Sequence, residues 1–405
     1  MKTVLITAYA VNPYKGSEDG MGWNFIYQAA TKRPVIAITR KNNRQAIKKY
    51  LKENNLENHL NLNFCYFDLP YWARFWKKGG RGAMLYFYLW QFFIVRFIKK
   101  KKLQFDIAHN LNFHNDWTPS FLWRLGKPLV WGPVGHHPAI PKEYLGQYPA
   151  LFRLKEHLKW GVKNLFWNID PFLKKTRSSA EVIIKMNTRA KVGNTNARTE
   201  LMPSVGCEDL ISTDKPLKNG FNVLAVGRLV PLKGFDLTLD AFILFLKQLS
   251  PEDRDKVSLT IIGSGELRKD LIDKIKYEPY KNIRLIEWVD RSELKSYYEN
   301  SSVFMFPSHE GAGMVVAEAF SHGLPVICLD NEGPGEFVDQ YSGLKVPYLK
   351  DYHQTIEDLA SALDQLYRHP EQISLLSEGA RKRFLSYFSW DVKGKQLNRI
   401  YDQML

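Results

Sequence analysis

Short apolar runs, each followed by a turn and a helix-like stretch, recur along the whole chain. The first set is TVLITAYAV (3–11), PVIAIT (34–39), LNFCYFDL (62–69), FDIAHNL (105–111), PLVWGP (128–133) and EVIIKMN (181–187), with a helix expected over 119–125. ELMPSVG (200–206) closes this set and marks a hinge. A second set begins with FNVLAVGRLVPLKGFDLTLDAFILFL (221–246) and SLTIIGSGELRKDLIDKI (258–275), each reading as strand, loop and helix. IRLIEWV (283–289), VFMFPS (303–308), PVICLD (325–330) and GLKVP (343–347) follow as strands, and the C-terminal stretch reads as helices kinked near Ser389-Trp390. Apolar strands alternating with helices predict parallel sheets covered on both faces. The expected fold is α/β: two doubly wound domains facing a cleft.

A length of 405 residues suffices for two domains with separate cores. The three cysteines, Cys65, Cys207 and Cys328, are widely spaced and suggest neither a disulfide framework nor a zinc site, which fits a reducing cytosol. The opening MKTVLITAYAV has a weak charged start and a short apolar run, so it reads as a buried first strand rather than a signal peptide.

Charge changes the picture more. The formal net charge is +15, and the interval between Asp68 and Asp106 holds no acid but nine cations: Arg74, Lys77, Lys78, Arg81, Arg96 and Lys99 to Lys102. Aromatic rings interleave them, and MLYFYLWQFFIVRFI (84–98) is too short to span a bilayer at roughly 20 residues. Rings mixed with Lys and Arg suit an interfacial anchor on anionic lipid, and 151–177 has a similar composition. The competing reading of 84–98 is a core helix with a basic end. No nucleic-acid motif accompanies the basic stretch, so no nucleic-acid partner is expected.

The candidate chemistry centres on PSHEGAGMVVAEAFSHGLPV (307–326). Glu310 and Glu318 are separated by seven residues that open with a Gly311-Ala312-Gly313 turn, after an apolar strand and running into a helix. Such a turn aims backbone N–H groups of Gly311, Ala312, Gly313, Met314 and Val315 at the carboxyl end of a strand, where α/β folds bind diphosphates. With a helix starting near Gly313, Met314 and Glu318 share a face that leans toward the turn. Carboxylates accept hydrogen bonds from sugar hydroxyls well.

This string resembles the E-x7-E signature of the retaining glycosyltransferase family 4, of GT-B fold, as found among bacterial cell-surface polysaccharide enzymes. The resemblance implies domains at 1–203 (acceptor) and 204–387 (nucleotide-sugar donor), with 388–405 a helix crossing back to the first. Within VGRLVPLKG (226–234), Arg228 and Lys233 match the family's donor-phosphate motif, implying that they neutralise charge on the leaving diphosphate. Gly263 in IIGSGE (261–266) matches a nucleotide-proximal turn, with Trp288-Val289 flanking the base. Gly16 and Ser17 match a glycine-rich loop near the diphosphate, and the family's histidine beside the reacting centre falls on His109, with His114 a weaker candidate. WGPVGHH departs from the usual GPVGGG, so His136 and His137 stand where acceptor contacts are expected.

No metal is implied: the only D-x-D, Asp253-Arg254-Asp255, reads as a helix terminus, and the chain has neither HExxH nor a P-loop. The expected function is a metal-independent, retaining transfer of a hexose-type sugar from a nucleoside diphosphate to a lipid-linked glycan, on the cytoplasmic face of an anionic membrane, with no further cofactor. Two alternatives stay open: a nucleotide-sugar 2-epimerase on the same fold, and a non-catalytic basic membrane- or nucleic-acid-binding protein.

Overall fold

The computed structural model describes residues 1–57, 61–111, 113, 115–210, 220–348 and 351–404. The chain forms two compact units. One holds Met1–His136, Lys159–Gly206 and Trp390–Leu405; the other holds His137–Leu158 and Cys207–Ser389.

The first unit is built on seven parallel strands: β1 (Val4–Ala8), β2 (Val35–Thr39), β3 (Leu62–Tyr66), β4 (Ile107–Leu111), β5 (Leu129–Val134), β6 (Val182–Lys185) and β7 (Arg198–Leu201). Their order is β3-β2-β1-β4-β5-β6-β7. Every residue of β1, β4 and β5 is buried, as uninterrupted apolar runs require when helices cover both faces. The edge strand β7, RTEL, is mostly exposed, and its Arg198 and Glu200 blunt further pairing. The last helix, Trp390–Asp402, belongs to this unit. It packs on the helix Ser17–Ala30 through Phe25 and Trp390, and Arg33 holds both Asn398 and Asp402.

The second unit has six parallel strands: β8 (Phe221–Val226), β9 (Val257–Ile262), β10 (Ile283–Ile286), β11 (Val303–Phe306), β12 (Val326–Leu329) and β13 (Gly343–Val346), ordered β10-β9-β8-β11-β12-β13. In both sheets the chain runs outward one way and then the other from the first strand. The order therefore reverses beside β1 in one sheet and beside β8 in the other. Crevices at such reversals, past the carboxyl ends of the strands, are where open α/β sheets bind ligands.

Three expectations change. Residues 137–158, read as part of 1–203, join the second unit, because Ile140, Tyr144, Leu145 and Tyr148 are buried in its core. The helix expected over 119–125 is a single turn, Leu122–Leu125. Thr176 holds Ser120 outside it by accepting from its N–H and donating to its carbonyl. The aromatic segment 84–98 lies in the helix Ala83–Lys100, whose Tyr86, Phe87, Trp90, Ile94, Val95 and Ile98 are buried in the first unit. It is a core helix with a basic end. Among the described residues no helix is long and apolar enough to cross a membrane.

Candidate active site

The reversal point of the second unit gathers the sequence-derived donor residues. After β8 the chain turns through 227–234 into the helix Phe235–Gln248; after β11 it turns through 307–313 into the helix Met314–Ser321. The two turns are tied by backbone. His309 N–H donates to the Leu232 carbonyl at 2.9 Å, and Ser308 Oγ donates to the same oxygen at 3.1 Å. Gly234 sits at φ +67°, and a Cβ there would collide with the Pro307 carbonyl. Only glycine supplies both that backbone angle and that approach.

This tie delivers Lys233 to Glu310. Nζ donates to Oε2 at 2.6 Å, and the side chains keep 13% and 16% of their surface exposed, so the pair is accessible yet poorly screened. Lys233 also lies over the Phe306 ring at 5.0 Å. The helix begins at Met314, with Gly313 as its N-cap. Its first N–H groups have no acceptor four residues back and concentrate positive potential at its start. Gly311 to Val315 thus lie beside the ion pair. Glu318, one turn along, is half-buried and accepts from Tyr298 Oη at 3.2 Å. Burial pushes its carboxyl above the usual range, against that hydrogen bond and the charges of Arg291 and Lys233.

The neighbouring turn is laced to the first. Leu229 N–H donates to Ser264 O at 2.8 Å, Leu267 N–H to Leu229 O at 3.0 Å, and Gly263 N–H to Ile286 O at 2.8 Å. Gly263 therefore lies at the carboxyl end of β9, against the β8 turn. Arg228 is exposed on that turn; Trp288 is exposed and Val289 half-exposed after β10.

Sequence reasoning missed His309, Tyr298 and Asn331. His309 is 1% exposed, with Nδ1 against Tyr348 Oη at 2.8 Å; burial takes it down to about 3, so it stays neutral behind Glu310. Asn331 donates to Ser308 O and accepts from Gly333 N–H, fixing the adjoining turn. The run SHEG held the His309 signal; the other two depend on residues distant in sequence.

The first unit places its candidates differently. Gly16 and Ser17 are exposed where the β1 loop enters its helix, with Ser17 at φ +55°. His109 is fully buried within β4. Its Nε2 donates to Gly132 O at 2.7 Å, so Nδ1 accepts from Tyr401 Oη at 2.6 Å. Burial lowers it to about 4. Both ring nitrogens are occupied inside the sheet, which gives His109 a structural place rather than the expected one beside a reacting centre. His136 is also buried, its Nδ1 3.0 Å from Asp116 Oδ2 and its N–H donating to Asn187 Oδ1. That network with Asp116 holds it in the protein instead of opening it to an acceptor. His137 is partly exposed. His114 lies outside the described residues.

Residues 210–383 match the family model described as glycosyl transferases group 1. That match lies within the second unit. Among relatives of this chain, an uncharacterized glycosyltransferase of Haemophilus influenzae is 31% identical over 39% of the chain and 43% of that protein. The amylovoran biosynthesis glycosyltransferase AmsD of Erwinia amylovora is 33% identical over 40% of each. The capsular polysaccharide biosynthesis glycosyltransferase CapM of Staphylococcus aureus is 27% identical over 47% and 48%. The chain thus spans less than half the length of these curated relatives. Solved structures extend the likeness of fold to the whole chain. The lipopolysaccharide-biosynthesis glycosyltransferase WaaG aligns over 98% of this chain with a TM-score of 0.61 at 16% identity. HepE of Anabaena, solved with UDP and glucose, aligns over 100% with a TM-score of 0.60 at 14%. The fold is GT-B, and the Lys233–Glu310 pair lies inside the group 1 glycosyltransferase match.

Proposed function

We propose that the protein transfers a sugar from a nucleoside diphosphate to a hydroxyl in polysaccharide assembly, and that the donor binds at the β8/β11 reversal point. The observation that carries this is the Lys233–Glu310 pair at the mouth of the helix Met314–Ser321. A cation and helix N–H groups suit a diphosphate; a carboxylate within hydrogen-bond reach suits the hydroxyls of the sugar attached to it. The bond to be broken joins those two parts. Lys233, with exposed Arg228, takes up charge on the leaving diphosphate while Glu310 accepts from the sugar. Glu318 and the Gly263 turn meet the nucleoside.

The transfer proceeds with retention. The C1–O bond to the diphosphate breaks, the C1–O bond to the acceptor forms on the same face, and the acceptor's proton passes to the departing phosphate oxygen. No metal takes part: the charge is carried by Arg228, Lys233 and the N–H groups of residues 311–315. The acceptor is a lipid-linked glycan, met on the cytoplasmic face of an anionic membrane, as the +15 charge suggests. The test is transfer from UDP-, GDP- and ADP-sugars to lipid-linked acceptors, with EDTA and with added Mg²⁺. Turnover that persists in EDTA with the anomeric configuration kept is the expected result; strict dependence on the metal overturns the metal-free mechanism.

A further inference from the structure

The chain leaves the first unit after His136 and returns to it at Lys159; the residues between are part of the second unit. Ile140 and Leu145 dock this segment, 3% and 5% exposed in the second unit's core. An apolar anchor needs no polar groups. Two hydroxyls are nevertheless carried in with it, on buried Tyr144 and Tyr148, and each is hydrogen-bonded. Phenylalanine would bury as much apolar area, so what the hydroxyls add is a fixed orientation.

The two tyrosines reach the backs of the two donor turns. Tyr148 Oη donates to Asp236 Oδ2 at 2.7 Å. Asp236 lies in the first turn of the helix Phe235–Gln248, three residues past Lys233. Burial and the Asp236 charge push the Tyr148 hydroxyl up, so it stays a donor. Tyr144 Oη lies 2.7 Å from Thr355 Oγ1 of the helix Tyr352–Arg368. Held there, its ring meets the His309 ring edge-on, with centroids 4.9 Å apart and planes at 67°. His309 precedes Glu310, and its N–H ties that turn to Leu232, the neighbour of Lys233. One tyrosine thus backs the cation of the donor pair and the other backs the carboxylate.

We propose that Tyr144 and Tyr148 are positioning residues of the donor site: from a segment in the first half of the sequence, they hold the two turns in the register that sets Lys233 against Glu310. The inference rests on the reading of those turns as the donor site. Groups that meet a phosphate and a sugar at a breaking bond tolerate little displacement, and a shift of about 1 Å can cost a hundredfold in rate. A buried contact behind each turn limits such shifts.

Four variants test it: Tyr148→Phe, Tyr144→Leu, Tyr144→Phe and, as a control, Tyr352→Phe. The control breaks a bond of the same kind on the same helix, Tyr352 Oη to Asp240 Oδ2 at 2.9 Å, one turn further from Lys233. Calorimetry gives affinity for UDP, GDP and ADP, sugar transfer per folded molecule gives turnover, and thermal melting gives stability. Tyr148→Phe should weaken the nucleotide that binds wild type by about threefold to tenfold, part of the loss expected on removing Lys233 itself. Tyr144→Leu should lower kcat at least about tenfold while the bare nucleotide binds as before, because Glu310 serves the sugar. Tyr144→Phe, which keeps a ring on His309, should restore most of that turnover. Tyr352→Phe should melt lower with wild-type affinity and turnover. If Tyr148→Phe and Tyr144→Leu melt lower yet bind and turn over like wild type, the positioning role is overturned; it is equally overturned if Tyr352→Phe loses affinity and turnover alongside them. Lys233→Ala in the same series separates the two claims. If it loses affinity while the tyrosine variants keep affinity and turnover, this inference falls and the donor site stands. If it binds and turns over like wild type, the donor reading falls and takes this inference with it.

Discussion

Strand β4 of the first unit and strand β11 of the second occupy the same place in their sheets, each beside the strand where the order reverses. Each brings a histidine, His109 or His309, that burial keeps neutral. The difference lies in what surrounds it. His109 sits within its strand and is bonded to Gly132 and to Tyr401 of the last helix; it fastens that helix to the sheet. His309 lies just past its strand, with Glu310, Lys233 and a helix N-terminus immediately beyond. A histidine at a sheet reversal is thus no mark of chemistry by itself. Charged groups left partly accessible at the strand's end are.

The largest effect expected is on turnover. Lys233→Ala should cost about 2–4 kcal/mol in the transition state, roughly a hundredfold to a thousandfold in rate, measured as sugar transfer under saturating donor. It also strands half-buried Glu310, so stability should fall and recover in Lys233→Ala/Glu310→Ala, while turnover should not recover. Recovery of turnover in the double variant would break the comparison. His109→Ala should do the opposite. It leaves the Gly132 carbonyl and Tyr401 hydroxyl unpaired, costing about 1–3 kcal/mol of stability by denaturant titration, with turnover per folded molecule near wild type. A collapse of turnover with intact folding would return His109 to the reacting centre.

Glu318 sharpens the contrast within the second unit. Glu318→Ala should weaken nucleoside diphosphate binding by calorimetry, by about tenfold for one lost hydrogen bond to a charged group. Because burial raises its carboxyl, ionised Glu318 costs stability above its folded pKa, and that cost is relieved as pH falls through it. Glu318→Gln should therefore raise the thermal midpoint at neutral pH while still lowering affinity. Equal midpoints would remove the electrostatic part of the account.

The smallest effect is shared by the two units. An imidazole held neutral in the fold loses stability as pH drops from about 6.5, where the unfolded side chain takes up a proton, toward its folded value. For His109 that value is about 4 and for His309 about 3. Each should make stability fall gradually as pH drops across that window. Substituting either by Gln should flatten the stability–pH curve; an unchanged curve would show the ring protonated in the fold.

Most of the strands were legible because a buried parallel strand is an uninterrupted apolar run, and VLITA, VFMF and VICL are such runs. The donor turns were legible because strand, glycine turn and helix follow one another locally, and the structure brings Lys233 to Glu310 across 77 residues. What stayed hidden was set by distant partners. Nothing in FDIAHNL announces Tyr401, 292 residues away, as the partner of His109. The spacing of Ile140, Tyr144, Leu145 and Tyr148 shows an apolar face but not which sheet covers it. In 84–98 apolar residues fill both faces of the helix, so composition could not separate a core helix from an anchor.

The donor's diphosphate is proposed to sit on the β8/β11 turns of the second unit. Calorimetric titration with UDP, GDP and ADP in EDTA tests it most directly, comparing wild type, Lys233→Ala and His109→Gln. Whichever nucleotide binds wild type should bind Lys233→Ala at least about tenfold more weakly, the worth of one charged contact, and His109→Gln with wild-type affinity. Unchanged affinity in Lys233→Ala, in a protein that remains folded, would contradict it.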